Sequence, residues 1–149
     1  MVDVDDVLLL RPATARSGFA VPDAPRPPIS QTEPPSSVVV ASICYGERPF
    51  DDEFVEVFDR RVRPVLVETG GAPLACLRTE YAENTYPALP VRTGEHVFVW
   101  FARFGGEAEL AEHLHRLEDS QRWHDDALAA LTVAPRRLRL APTARSSLR

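Results

Sequence analysis

From Val38 onward the chain alternates between stretches with a two-residue apolar period and stretches with a helical one. Val38-Val39-Val40-Ala41-Ser42-Ile43-Cys44-Tyr45 is rich in β-branched residues and predicts a strand. Asp51 is placed to cap the free N–H groups of a helix. Behind it Phe54, Val57, Phe58, Val62, Val65 and Leu66 recur at helical spacing down to a stop at Gly70-Gly71. Pro64 falls inside this helix, so a kink or a break into two pieces is predicted near Arg60. Residues 73–81 predict a second strand, and residues 95–104 predict the strongest strand of the chain. A second helix is predicted from Glu107 to Asp119. Ser120 can cap a short third helix carrying Trp123, Ala127, Leu128 and Leu131, and residues 136–141 close with a last strand.

The order is β-α-β-β-α-β with a short extra helix before the last strand. This is the plan of an α+β, ferredoxin-like βαββαβ fold, in which two helices cover one face of an antiparallel sheet. The strand at 95–104 is apolar on both sides, with Val97, Val99 and Phe101 on one and Phe98, Trp100 and Phe104 on the other. A strand wetted on one face would alternate apolar with polar. The second face therefore needs cover, and the simplest cover is a second copy of the same sheet. That predicts a two-fold homodimer enclosing a dimeric α+β barrel.

The first 37 residues follow a different rule. Seven of the fourteen prolines fall in the first 35 positions, and between Arg11 and Ser37 the chain is mostly Pro, Ala, Ser and Arg. Such a stretch predicts an extended, polyproline-like linker that buries no face. One internal repeat crosses this boundary. Leu8-Leu9-Leu10-Arg11-Pro12 and a following Ala-Arg-Ser match Leu138-Arg139-Leu140-Ala141-Pro142 and its following Ala-Arg-Ser. The expected organisation is thus an N-terminal strand remnant and Pro-rich linker over 1–37, then one complete domain over 38–149. The remnant would be the closing strand of an earlier domain copy, able to add to an open edge of its own sheet or of a partner's.

Composition narrows the functional classes. The chain has 149 residues, 44% of them hydrophobic, enough for one core. Its net charge is −5, and no lysine occurs, so every basic group is a guanidinium. An acidic chain is a poor general nucleic-acid binder. No apolar run approaches the ~20 residues that span a bilayer, and the acidic start Met1-Val2-Asp3-Val4-Asp5-Asp6 is unlike a signal peptide. No membrane association and a cytoplasmic location are therefore expected. Cys44 and Cys76 lack metal-ligand or CxxC spacing and are expected to be reduced core residues. There is no G-x-S-x-G elbow, no glycine-rich phosphate loop and no His pair with zinc spacing. Hydrolase, kinase and dinucleotide readings fall away, a zinc site is not expected, and no cofactor is specified, a haem with a single axial His staying open.

The segment from Thr79 carries a resemblance. Thr79-Glu80-Tyr81-Ala82-Glu83-Asn84-Thr85-Tyr86-Pro87-Ala88-Leu89-Pro90-Val91-Arg92, followed by Val97-Phe98-Val99-Trp100-Phe101, resembles the NIPSNAP family pattern T-E-x-x-x-N-x-[FY]-P-x-L-P-V-R before a vfvWf strand. The closing Leu138 to Ser146 adds to it. The resemblance covers roughly 38–149, while residues 1–16 are similar to the join between the halves of longer, tandem relatives. It implies a dimeric α+β-barrel domain. It implies little about chemistry, because the wider superfamily holds cofactor-independent monooxygenases, cyclases, haem-degrading enzymes and plain binding proteins.

Candidate site residues follow from residue type and position. His113 flanks the apolar stripe Leu110, Leu114 and Leu117 of the second helix, where an imidazole can transfer protons; a hydrogen-bonded structural role is the plainer alternative. The loop 80–94 is longer than a hairpin needs and is stiffened by Pro87 and Pro90, as befits a pocket wall or a dimer contact. Within it Asn84, Tyr86 and Arg92 are candidate ligand contacts, Asn84 having the alternative of fixing the loop. Arg103 falls at the end of a buried face, where it would need an anionic partner such as Glu80 or a ligand. Tyr45, Trp100 and Trp123 can form an aromatic wall for a planar ligand, or plain core. Two classes result: a homodimeric protein binding an apolar or aromatic small molecule, and a cofactor-independent enzyme of monooxygenase, cyclase or isomerase type with His113 as acid/base.

Overall fold

A computed structural model describes residues 7–20, 26–86 and 88–148. Of the N-terminal remnant and linker expected over 1–37, residues 1–6 and 21–25 lie outside the described residues, as does Pro87 of the loop 80–94. Five strands, β1 (Leu10–Pro12), β2 (Val38–Gly46), β3 (Pro73–Thr79), β4 (His96–Phe104) and β5 (Arg136–Leu140), form one sheet in the order β1-β3-β4-β2-β5, every neighbour antiparallel. The last four strands alone give the ferredoxin-like order. The sheet is open and does not close into a barrel.

The first helix starts where Asp51 accepts the Phe54 N–H at 2.9 Å. It runs through α1 (Asp52–Val57), a π turn (Phe58–Val62) and α2 (Arg63–Glu68) without a break. Pro64 has no N–H to give to the preceding turn. The wide π turn just before it absorbs that defect, where the sequence predicts a kink or two pieces. The helix ends in a Schellman motif: Gly70, at φ 96°, donates to Val67 O and Gly71 donates to Leu66 O. The second helix, α3, spans Glu107–Asp119 as the sequence predicts, and the short extra helix comprises a π turn (Trp123–Ala127) and α4 (Leu128–Leu131).

The helices pack on one face of the sheet. Cys44, Cys76, Phe98 and Trp100 from the strands meet Phe58, Val62, Leu66, Leu117, Trp123 and Leu131 from the helices. The rings of Phe54, Phe58 and Phe98 touch in a ladder with centroids 4.8–5.0 Å apart, and Trp100 continues it 5.4 Å from Phe58. Such tilted and edge-on contacts add to area burial. On the other face Val39, Ala41, Val97 and Val99 are each at most 4% exposed within a single chain. The two-sided burial of β4 is therefore present without a second copy. Part of the cover is the linker, whose Phe19 packs against Phe101 at 4.9 Å. The expectation that the linker buries no face is corrected at Ala13, which sits in the main core at 4% exposure, while Leu10–Pro12 forms a strand on the outer edge of its own sheet.

Phe98→Ala removes the ring at the centre of the ladder, from a site with no exposure. It should cost about 3–5 kcal/mol in urea unfolding, while Phe19→Ala, at a 37% exposed position, should cost about 1 kcal/mol.

Candidate functional site

Where β3 hands over to the loop that leads into β4, a groove of about 510 Å³ opens. Its apolar floor comes from Leu8, Leu9, Leu89 and Val91, and its rim from Glu80, Tyr81, Asn84, Arg92 and Glu95. Three devices hold these parts together. The loop's base is tied by Thr79, whose hydroxyl donates to Glu95 O at 3.1 Å and accepts the Val97 N–H at 2.8 Å. Its tip is clipped by Asn84, whose amide donates to Tyr86 O and Leu89 O while its oxygen accepts the Tyr86 N–H. The opposite wall is held by the N-terminal segment: Arg92 N–H donates to Val7 O, Glu80 N–H donates to Leu9 O, and Val7 bridges Val91.

Asn84 thus fixes the loop, and its side-chain oxygen and amide are engaged with backbone. Tyr86 is 65% exposed. Arg92 pairs with Glu95 and lies 5.8 Å from the centre of the Tyr45 ring, with Arg136 at the same distance from that ring. Tyr45, on the sheet face away from the helices, is therefore engaged by two guanidiniums. Arg103 is exposed at the far end of β4, so it needs no anionic partner; Glu80 instead accepts the Ala82 N–H at 2.9 Å. Trp100 and Trp123 lie on the helix face, in the main core and at most 4% exposed. The groove gathers Asn84 and Arg92 and has Tyr45 beside Arg92, while Trp100, Trp123 and Arg103 lie elsewhere. Leu8 and Leu9 are groove residues that sequence reasoning missed; the repeat that includes them was the available signal.

His113 is not near the groove. Its Nδ1 donates to Thr69 O at 3.2 Å, its ring lies 5.1 Å from that of Phe104, and a Cβ on Gly71 would fall 2.3 Å from the imidazole. It is seated between α2's end, α3 and β4. The groove lies at the His96 end of β4 and His113 at the Phe104 end, about 27 Å apart at ~3.4 Å per residue. Burial lowers the His113 pKa, only partly offset by the Thr69 carbonyl. The shallow hollow beside it, about 200 Å³, is lined by Thr69, Gly70, Glu109, Glu112 and Arg116. Burial pushes the Cys44 thiol up to about 12 and that of Cys76 to about 11, leaving both protonated near neutral pH. Among the described residues no group of three or more His, Cys, Asp or Glu is arranged to hold a metal ion, and no helix is long and apolar enough to cross a membrane.

Because the folded state resists a proton that the unfolded chain accepts, the His113 contribution to stability is full above about pH 6.5 and is lost as the pH falls below it. Thermal melts from pH 7.5 to 5.5 should show a decline in the wild type that flattens in His113→Gln, which keeps a donor for Thr69 O. Gly71→Ala should destabilise the protein by at least about 1 kcal/mol, since the histidine must shift out of its seat.

No protein-family model matches the chain, and a search of curated proteins finds no match. Among solved structures, the crystal structure of a NIPSNAP family protein from Agrobacterium tumefaciens str. C58 matches with a TM-score of 0.51 at 17% identity, over 77% of this chain and 93% of that one. The crystal structure of a NIPSNAP-like domain protein from Burkholderia xenovorans matches with a TM-score of 0.54 at 17% identity, over 74% and 89%. The chain has the fold of NIPSNAP-family proteins.

Proposed function

We propose that this is a NIPSNAP-type domain that binds an apolar or aromatic small molecule in the groove between residues 7–9 and the loop 80–95. The observation that carries the reading is the groove itself: about 510 Å³, with leucine and valine on its floor, charged and phenolic groups on its rim, and walls fixed by backbone hydrogen bonds. That is the ordinary construction of a preformed small-molecule site. A second hollow, of about 660 Å³ beside Arg48, Phe50 and Phe54, contains none of the candidate site residues. The position of His113 favours binding over catalysis, because an imidazole at the other end of β4 cannot reach a molecule in the groove. The same reading takes the domain to work as a homodimer, supported by Leu138 and Leu140, which are 48% and 42% exposed on β5. The buried thiols of Cys44 and Cys76 fit a reducing, cytoplasmic setting.

The test uses 1-anilinonaphthalene-8-sulfonate, an aromatic anion, as the probe. Fluorescence titration should show one saturable site that weakens at least about tenfold in Leu89→Arg, a substitution at a 37% exposed position, and is unchanged in His113→Gln. Unchanged affinity in Leu89→Arg, or loss of binding in His113→Gln, contradicts the assignment.

A further inference from the structure

The side chains that line the groove are unequal in charge. Three carboxylates, Glu80, Glu83 and Glu95, stand there against one guanidinium, that of Arg92. Arg92 pairs with Glu95, which sets one charge of each sign against the other. Glu80 accepts the Ala82 N–H through Oε1 at 2.9 Å, a bond within the loop that engages one of its two oxygens and leaves its charge in place. Neither Glu80 nor Glu83 has a basic partner among the described residues. The amide donors of Asn84 are both spent on the loop, on Tyr86 O at 3.1 Å and Leu89 O at 2.9 Å. The ring of Tyr81 lines the groove at 54% exposure, with its oxygen 2.7 Å from His96 Nδ1. An apolar floor therefore lies under a rim on which two carboxylates are left over.

We propose that the groove selects a cation: an apolar or aromatic amine whose hydrocarbon part lies on Leu8, Leu9, Leu89 and Val91 and whose ammonium group faces Glu80 and Glu83. The proposal rests on the groove reading above and adds the charge of the ligand to it. Shape and apolar contact do most of the binding, and the carboxylates choose among ligands of equal shape. An ammonium group gives them charge-assisted N–H donors, and the face of the Tyr81 ring adds to the attraction. A neutral ligand of the same shape gains nothing from these charges. An anion meets them with repulsion, so the anionic naphthalene probe named above binds through its rings alone. Carboxylates set against an apolar wall act more strongly than on an open surface, because the wall keeps high-dielectric water from one side of them.

The test is isothermal titration calorimetry of the full chain with 1-naphthylmethylammonium and with 1-naphthylmethanol, which share a ring system and differ in charge. At low ionic strength the cation should bind at least about tenfold tighter than the alcohol, and the margin should shrink as salt is added. In the double variant Glu80→Gln, Glu83→Gln the amide oxygen at position 80 can still accept the Ala82 N–H, so the loop keeps its bond. There the margin should fall to within about twofold, with the alcohol unaffected. Glu118→Gln removes the same charge from an exposed position on α3 and should leave the margin as it is. Equal affinity for the two compounds, a margin that survives the double variant, or a margin that falls as far in Glu118→Gln overturns the cation assignment. If Leu89→Arg then abolishes binding of both compounds, the groove reading stands without it. No binding of either compound, or binding of both untouched by Leu89→Arg, overturns the groove reading and this inference together.

Discussion

The outer edge of β3 is the constraint on which the rest of the site depends. An edge strand leaves a row of backbone donors and acceptors facing outward, open to any passing chain. Here residues 7–17 fill it. Beside the β1–β3 ladder, five hydrogen bonds hold the segment, from Ala13, Cys76, Glu80 and Arg92 amides and the Ser17 hydroxyl. At about 1 kcal/mol net each they do not outweigh the ordering of a segment whose residues cost about 1–2 kcal/mol apiece. Apolar burial must supply the difference, through Ala13 in the core and Leu8 to Leu10 half-buried beside the loop. The seating is therefore marginal, and it makes the groove: without it, Leu89 and Val91 would face water instead of a second wall.

The two faces of the sheet divide the work. The helix face is packed solid by the aromatic ladder and by Trp123, and the histidine on that side is a joint between α2, α3 and β4, held by Thr69 and admitted by the missing side chain of Gly71. The loop end of β3 and β4 carries the groove. Its polar groups are largely satisfied by one another: Arg92 by Glu95, Asn84 by its own loop, and Tyr81 by His96, whose Nδ1 lies 2.7 Å from the phenol oxygen. A rim already paired favours a ligand recognised chiefly by shape and apolar contact.

Much of the fold is legible along the chain because local rules suffice for it. The range Glu107–Asp119 follows from Leu110, Leu114 and Leu117 between a glycine pair and Ser120, and β4 follows from its unbroken apolar run. The loop 80–94 stands out as a pocket wall by its length and prolines. Asn84 is a loop clip because Asx side chains readily bond backbone two residues on. What is not legible is long-range. Apart from the repeat, the three residues ending in Pro12 carry no strand signal, and nothing local names their partners Leu77 to Thr79, more than sixty positions away. Arg103 looks buried because Val99 and Phe101 precede it on the same face, but the face ends there and solvent takes over. The periodicity that puts His113 at the border of the stripe does not tell which neighbour meets it, because Gly71 and Thr69 come from another helix end.

Amide hydrogen exchange on the full chain tests the central claim, that residues 7–17 and β3 form one seated unit with the groove loop. The account predicts that the amides of Ala13, Cys76, Glu80 and Arg92 are protected and exchange with a common opening free energy, lower than that of the β4 amides. Ala13 and Arg92 amides exchanging at unprotected rates while β4 remains protected would contradict it.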